Sequence, residues 1–255
     1  MAVTQGESAS LSTCSANRPP EIVTQNIRML SFLEGARAAT GAAVVIDVFR
    51  AFSLVPWAML NGARTIVPVR TAAEALAWRE RKPDVLLAGE RDGKPLPGFD
   101  FGNSPSAIRD AALEDRILIH RTSAGTQGLL AAIEAGASPV LTGSFLNASA
   151  TVRHLRASGA DSISLVAMGW NAEEAALEDT LCADYLRALL RGEAPDFQAM
   201  RQQIREDATG RRFFDPALPW FPEADFDACI DLDRFDSAVA AVRDDAWGVR
   251  LQKVS

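Results

Sequence analysis

The chain has 255 residues, 48% of them hydrophobic and 23% charged, with a formal net charge of −7. That length is ample for a sizeable core, and the negative balance argues against nucleic acid as the main partner, while leaving room for a local basic pocket. No apolar run approaches the roughly 18 residues of a membrane span, so no membrane partner is expected.

Residues 1–20 are rich in Ser, Thr, Ala and Pro and contain no apolar h-region. They predict a disordered tail rather than a secretory signal, followed by a single α/β domain over 21–255. Cys14, Cys182 and Cys229 stand far apart, with no CxxC pair. A disulfide framework or zinc knuckle is not expected, and a reduced, cytoplasmic setting fits. Cys182 falls in the helical pattern "LEDTLCADYLRALL" and reads as a buried bystander or a site wall.

Six short apolar runs follow in chain order: "AAVVIDVF" (42–49), "TIVPV" (65–69), "DVLLAG" (84–89), "RILIH" (116–120), "SPVLTG" (138–143) and "SISLVAM" (162–168). They are apolar at successive positions rather than alternating, which suits strands covered on both faces. Helical patterns separate them. "TAAEALAWRER" opens with a Thr71–Glu74 capping box. "SPSAIRDAAL" places Ser104 at the N-cap and Pro105 at N1. "TQGLLAAIEAGA" and "LNASATVRHLRASGA" end near Gly136 and Gly159, good residues beyond a helix end. The last third reads as helix-rich, with an irregular aromatic cover in "RRFFDPALPWFPEADF". Strand alternating with helix predicts a layered α/β fold with mostly parallel pairing.

Several strands run directly into loops of small polar residues, where open α/β sheets bind their ligands. In "HRTSAGTQG" a strand ends in Arg121, Thr122, Ser123, Gly125 and Thr126 and opens a helix. Such a helix start offers N–H groups to an anion, although ordinary capping would use the same residues. "TGSFLNAS" repeats the pattern with Ser144 and Asn147. Asp47 and Arg50 close the first run, as metal ligand and phosphate fork or as a structural pair. The stretch "GERDGKPLPGFDFGNSP" (89–105) adds Glu90, Arg91, Asp100 and Asn103, and "ALEDTLCA" adds Glu178 and Asp179. Asp47, Glu90, Asp100, Glu178 and Asp179 are all hard oxygen donors. With only two histidines in the chain, they point to magnesium rather than zinc.

Together, "VVIDVFRAFS", "LLAGERDGKPLPGFDFGNSP", "TSAGTQGL", "GSFLNASATVRHL" and "ALEDTLCA" resemble the 2-phosphosulfolactate phosphatase family, from about residue 44 to 236. The resemblance implies a three-layer α/β fold of the family's own kind. It implies a magnesium-dependent phosphatase that converts 2-phospho-3-sulfolactate to 3-sulfolactate and phosphate in coenzyme M biosynthesis. It carries the family's acid and arginine onto Asp47 and Arg50, and its Gly-Glu-Arg onto Gly89, Glu90 and Arg91. The loop Asp and Asn fall on Asp100 and Asn103, the Ser and Asn on Ser144 and Asn147, and the acidic pair on Glu178 and Asp179. Catalysis is expected from Asp47, Arg50, Glu90 and Asp179, and metal binding from Asp47, Glu90, Asp100 and Glu178. Substrate contacts are expected from Arg91, Asn103, Ser144, Asn147 and the 121–126 loop.

The segments "RAFSL" and "HRTSAGT" depart from the family's usual residues, which leaves another phosphorylated hydroxy acid as the alternative substrate. A non-catalytic binder of anionic metabolites on the same fold is the rival reading. The expected partner is a small phosphorylated anion, and a homodimer is the ordinary assembly to expect.

Overall fold

The computed structural model of the chain describes residues 26–255; the predicted tail over 1–20 and Cys14 lie outside the described residues. The elements in chain order are β1 (Asn26–Ser31), α1 (Phe32–Arg37), β2 (Ala42–Ile46), α2 (Ala51–Leu60), β3 (Thr65–Pro68), α3 (Ala72–Arg81), β4 (Leu86–Arg91), β5 (Lys94–Pro95), α4 (Pro105–Arg109), β6 (Ile117–Arg121) and α5 (Gly125–Glu134). There follow β7 (Val140–Gly143), α6 (Ala148–Ala157), β8 (Ser162–Ala167), α7 (Leu177–Leu190), α8 (Phe197–Glu206), α9 (Ala208–Arg211), α10 (Glu223–Cys229), β9 (Ala238–Asp244) and β10 (Gly248–Val254).

All six predicted strands form, and helices lie between them. Local chemistry explains several boundaries. Thr71 and Glu74 close the expected capping box on α3. Ser104 caps α4 with Pro105 in the first turn. Gly136 and Gly159 take φ of +87° and +66° just beyond α5 and α6, conformations that favour glycine.

The strands form one mixed sheet in the order β1-β8-β2-β7-β9-β10-β3-β6-β4-β5. It contains two parallel blocks. In one, β2 pairs with β7 and β8, and β8 with β1. In the other, β6 lies between β3 and β4. The antiparallel hairpin β9–β10 joins the blocks, pairing with β7 on one side and β3 on the other. This hairpin, β1 at one edge of the sheet and β5 at the other are the strands that the helix-rich reading of the C-terminus and the six-strand count do not anticipate.

The apolar runs are covered on both faces. Along β2, Ala43 and Val45 enter one core with α2 and α5, while Ala42, Val44 and Ile46 enter another with α6 and α7. Ile66, Ala88 and Leu118 of the second block join the first of these cores. Their neighbours Val67, Leu87 and Ile119 pack under α3. Fully burying one such side chain is worth about 1.5–3 kcal/mol. The central core thus ties both blocks together, and the loops beyond β2, β4, β6 and β8 come to one place. Among the described residues, no helix is long and apolar enough to cross a membrane.

Candidate active site

Asp47 lies one residue beyond β2. Its Oδ2 accepts the Gly125 N–H at 2.8 Å and its Oδ1 faces the Ala51 N–H at 3.4 Å. The first contact links the two parallel blocks. It also requires glycine at 125, since a Cβ there would lie 2.7 Å from Oδ2. Glu90, within β4, accepts the Ser123 N–H at 2.6 Å and the Gly93 N–H at 2.9 Å. The head of α5 therefore holds two carboxylates of the chain itself, the charge that the helix dipole favours there. Burial first, and the Glu90 charge second, push the Asp47 carboxyl up to about 7.

Asp47 and Glu90 face a cavity with about 350 Å³ of atom-free space, part of it open to solvent. Arg50, Asn103 and Ser123 line it as well, and Phe49, Trp170 and Phe221 form its aromatic wall. Arg50 is anchored from behind. Its Nη1 donates to the Trp220 carbonyl at 2.7 Å and to Asp225 at 3.1 Å, and its Nη2 to the Gly93 carbonyl at 2.8 Å. The Phe221 ring packs 4.5 Å from the guanidinium. Arg50 is thus a fixed cation of the wall. Its structural partner is Asp225 rather than Asp47, and much of the predicted phosphate fork is committed to the protein.

Asp179 and Glu178 occupy the first turn of α7 and are buried. Asp179 accepts the Val48 N–H at 2.7 Å and the Gly169 N–H at 2.8 Å, which staples the loops after β2 and β8. Glu178 accepts from the Thr209 hydroxyl at 2.7 Å. Burial pushes Glu178 up to about 7; burial, with the charges of Glu178 and Asp47 beside it, pushes Asp179 well up. Neither side chain lines the cavity. Asp179 shapes the site from behind.

Other predicted site residues are placed elsewhere. Asp100 accepts the Leu87 N–H at 2.7 Å and pairs with Arg79. Phe99 and Phe101 pack against different cores and turn it toward α3, away from Asp47. Arg91 is exposed at the β4–β5 turn. Arg121 donates to the Glu90 carbonyl and, at 3.3 Å, to Ser123 Oγ. Thr122 and Thr126 each accept the other's backbone N–H at 3.0 Å, so they build the helix start rather than a ligand cradle. Ser144 donates to Asn147 at 3.5 Å, and Asn147 donates to the Ser237 carbonyl at 3.1 Å. The head of α6 is filled by Asp233, which accepts from Ser149 N and Oγ at 2.7 and 2.6 Å.

Gly93, Trp170, Phe221 and Asp225 enter the site without having been singled out in the sequence. Gly93 has φ of +76°, and a Cβ there would lie 2.3 Å from the Phe221 ring. Asp225 is fully buried and also accepts from Ser104 and Ser106. An acid inside the apolar pattern "FPEADFDACI" is the signal that could have found it.

Among the described residues, no three His, Cys, Asp or Glu side chains converge as a metal cage. The predicted four-carboxylate set is not assembled: Asp100 lies elsewhere and Glu178 does not line the cavity. Asp47 and Glu90 remain as two hard oxygen donors on one cavity. That fits a cation which keeps most of its waters and binds through one or two carboxylates plus substrate oxygens, as magnesium does.

The sequence model of 2-phosphosulpholactate phosphatase matches residues 31–217. A protein of Bacillus subtilis (strain 168) named probable 2-phosphosulfolactate phosphatase is 32% identical over 189 residues, covering 73% of this chain and 80% of its own. One of Thermoplasma volcanium with the same name is 32% identical over 193 residues, covering 76% and 85%. One of Caldicellulosiruptor saccharolyticus, also so named, is 38% identical over 158 residues, covering 60% and 64%. The matched span contains Asp47, Glu90, Asn103, Ser123 and Trp170. This chain belongs to the 2-phosphosulpholactate phosphatase family.

Proposed function

We propose that this chain hydrolyses the phosphate monoester of a small 2-phospho acid, with 2-phospho-3-sulfolactate as the first candidate and 3-sulfolactate and phosphate as the products. Membership of the family supports this. The observation that carries it is the pair of buried carboxylates, Asp47 and Glu90, on one cavity beside a fixed arginine. Asp47 and Glu90 would hold magnesium, which when bound neutralises charge on the phosphate oxygens.

The protein's own groups do the rest. Arg50 sets a positive charge in the wall, held in place by Asp225 and the Gly93 carbonyl. Asn103 and the Ser123 hydroxyl supply neutral donors to the anion. Phe49, Trp170 and Phe221 limit water around the reacting group. Asp47 accepts a proton from the attacking water at Oδ1, its less engaged oxygen.

The proposed setting is the cytoplasm, where the buried free thiols of Cys182 and Cys229 would stay reduced. The proposed partner is a small anion, and the proposed assembly is a homodimer.

Phosphate release from a panel of 2-phospho acids, with magnesium and with chelator, tests the function. Chelator-sensitive release from the sulfonated member is the expected result. Release from another member alone would keep the chemistry and change the substrate. No release from any would favour a non-catalytic anion-binding protein.

A further inference from the structure

Behind the cavity wall lies a polar pair in which only one partner touches the cavity. His120 sits in β6, between β3 and β4, and is fully buried. Its Nε2 lies 3.1 Å from Asn103 Oδ1, and among the described residues its Nδ1 has no partner. Asn103 is 95% buried, yet it lines the cavity. Its Nδ2 donates to none of the described residues.

The protonation state follows from these contacts. An imidazolium would need an acid beside it, and among the described residues the ring's only polar partner is an amide; burial pushes the ring's pKa down to about 4. The neutral ring has two tautomers. With the proton on Nε2, the ring donates to Oδ1 and leaves a bare lone pair on Nδ1. With the proton on Nδ1, a buried N–H is orphaned and the Asn103 amide must turn over to donate to Nε2. An orphaned buried N–H is the costlier defect. The turned amide would also present Oδ1, an acceptor, to a cavity proposed to receive an anion.

We propose that His120 is a positioning residue: its Nε2–H holds the Asn103 amide with Oδ1 turned inward, so that the Nδ2 donors face an oxygen of the bound anion. The anion rests on the phosphatase assignment; the tautomer does not. Nitrogen NMR of the ligand-free, full-length wild-type protein reads the tautomer directly at pH 7. Nε2 should be the protonated nitrogen and Nδ1 the bare one.

Inorganic phosphate, titrated calorimetrically, then reads the effect on the cavity. His120→Leu should weaken phosphate binding about tenfold, the scale of one misdirected hydrogen bond. His120→Gln, whose amide N–H can reach Oδ1, should stay within about threefold of wild type. In an Asn103→Ala background, His120→Leu should add nothing, because the two residues act as one unit. A merely structural histidine would weaken binding equally in both backgrounds, which would overturn the proposal. A proton on Nδ1 would overturn it too. If His120→Leu fails to fold, the wild-type tautomer decides. Absence of phosphate binding by the wild type would overturn the phosphatase assignment, and with it the anion at Nδ2, whereas the wrong tautomer overturns the dyad alone.

Discussion

The loops after β6 and β7 share one design: a parallel strand, small polar residues, then a helix start. Only the first opens on the cavity. At the head of α5 the N–H groups of Ser123 and Gly125 meet Glu90 and Asp47, which remain exposed to the cavity on their other side. At the head of α6, Asp233 caps the helix, and the polypeptide between α10 and β9 covers the loop, so Ser144 and Asn147 are sealed. A helix start attracts an anion in both cases, and in both the anion is a carboxylate of the chain. What distinguishes them is position in the sheet. The β7 loop lies beside the antiparallel hairpin and its approach segment, while the β6 loop faces the end of the other parallel block.

The sharpest contrast between the loops is catalytic. Asp47→Asn should lower kcat by about a thousandfold or more, as expected for a lost proton acceptor and metal ligand, measured as phosphate release with the fold checked by circular dichroism. A kcat within tenfold of wild type would move the chemistry away from the α5 head.

The same carboxylate should cost stability. Its folded pKa, about 7, lies above the ordinary 3.8, so between those values the native state binds more protons than the unfolded chain. The contribution is therefore full below pH 4, falls as pH rises, and is gone above pH 7. In the metal-free protein, Asp47→Asn should be more stable than wild type at pH 8 by about 4 kcal/mol. That is a rise in Tm of about 8–16 °C, and the gain should vanish near pH 4. Thermal melts in chelator across this range test it, and a gain equal at both pH values would rule out titration of Asp47 as the cause.

The α6 head should behave in the opposite way. Asn147→Ala should destabilise by about 1–3 kcal/mol through the lost bond to Ser237, with kcat and KM within about twofold. A selective loss of kcat at full stability would return Asn147 to the site. The smallest effect is expected at Asp100. Asp100→Asn weakens a partly exposed ion pair with Arg79, worth about 0–1 kcal/mol, and should leave the magnesium dependence of activity unchanged.

The contrast also shows how far the sequence can be read. The six buried strands were legible because apolar runs covered on both faces carry their own signature, and Ser104, Thr71 and Gly136 marked helix ends by local chemistry. The C-terminal hairpin was not legible. "AVAAVRD" is rich in alanine and lacks the β-branched density of a strand; it gains its place from pairing with β7.

The strand-end rule pointed to Asp47, Glu90 and Ser123. It could not separate them from Ser144 and Asn147, because the separation depends on which strand neighbours the hairpin. Nor could it direct Asp100, whose orientation follows from two phenylalanines choosing different cores. Arg50 offered Asp47 as its structural partner in the sequence because the real one, Asp225, lies far along the chain.

The central claim is that the Asp47 and Glu90 cavity is a phosphatase site. The most direct test is side-by-side phosphate release from 2-phospho-3-sulfolactate by the wild type and Asp47→Asn in magnesium. Turnover by the wild type and loss of about a thousandfold in the folded variant is the predicted result. Equal turnover by both, or none by the wild type, would contradict it.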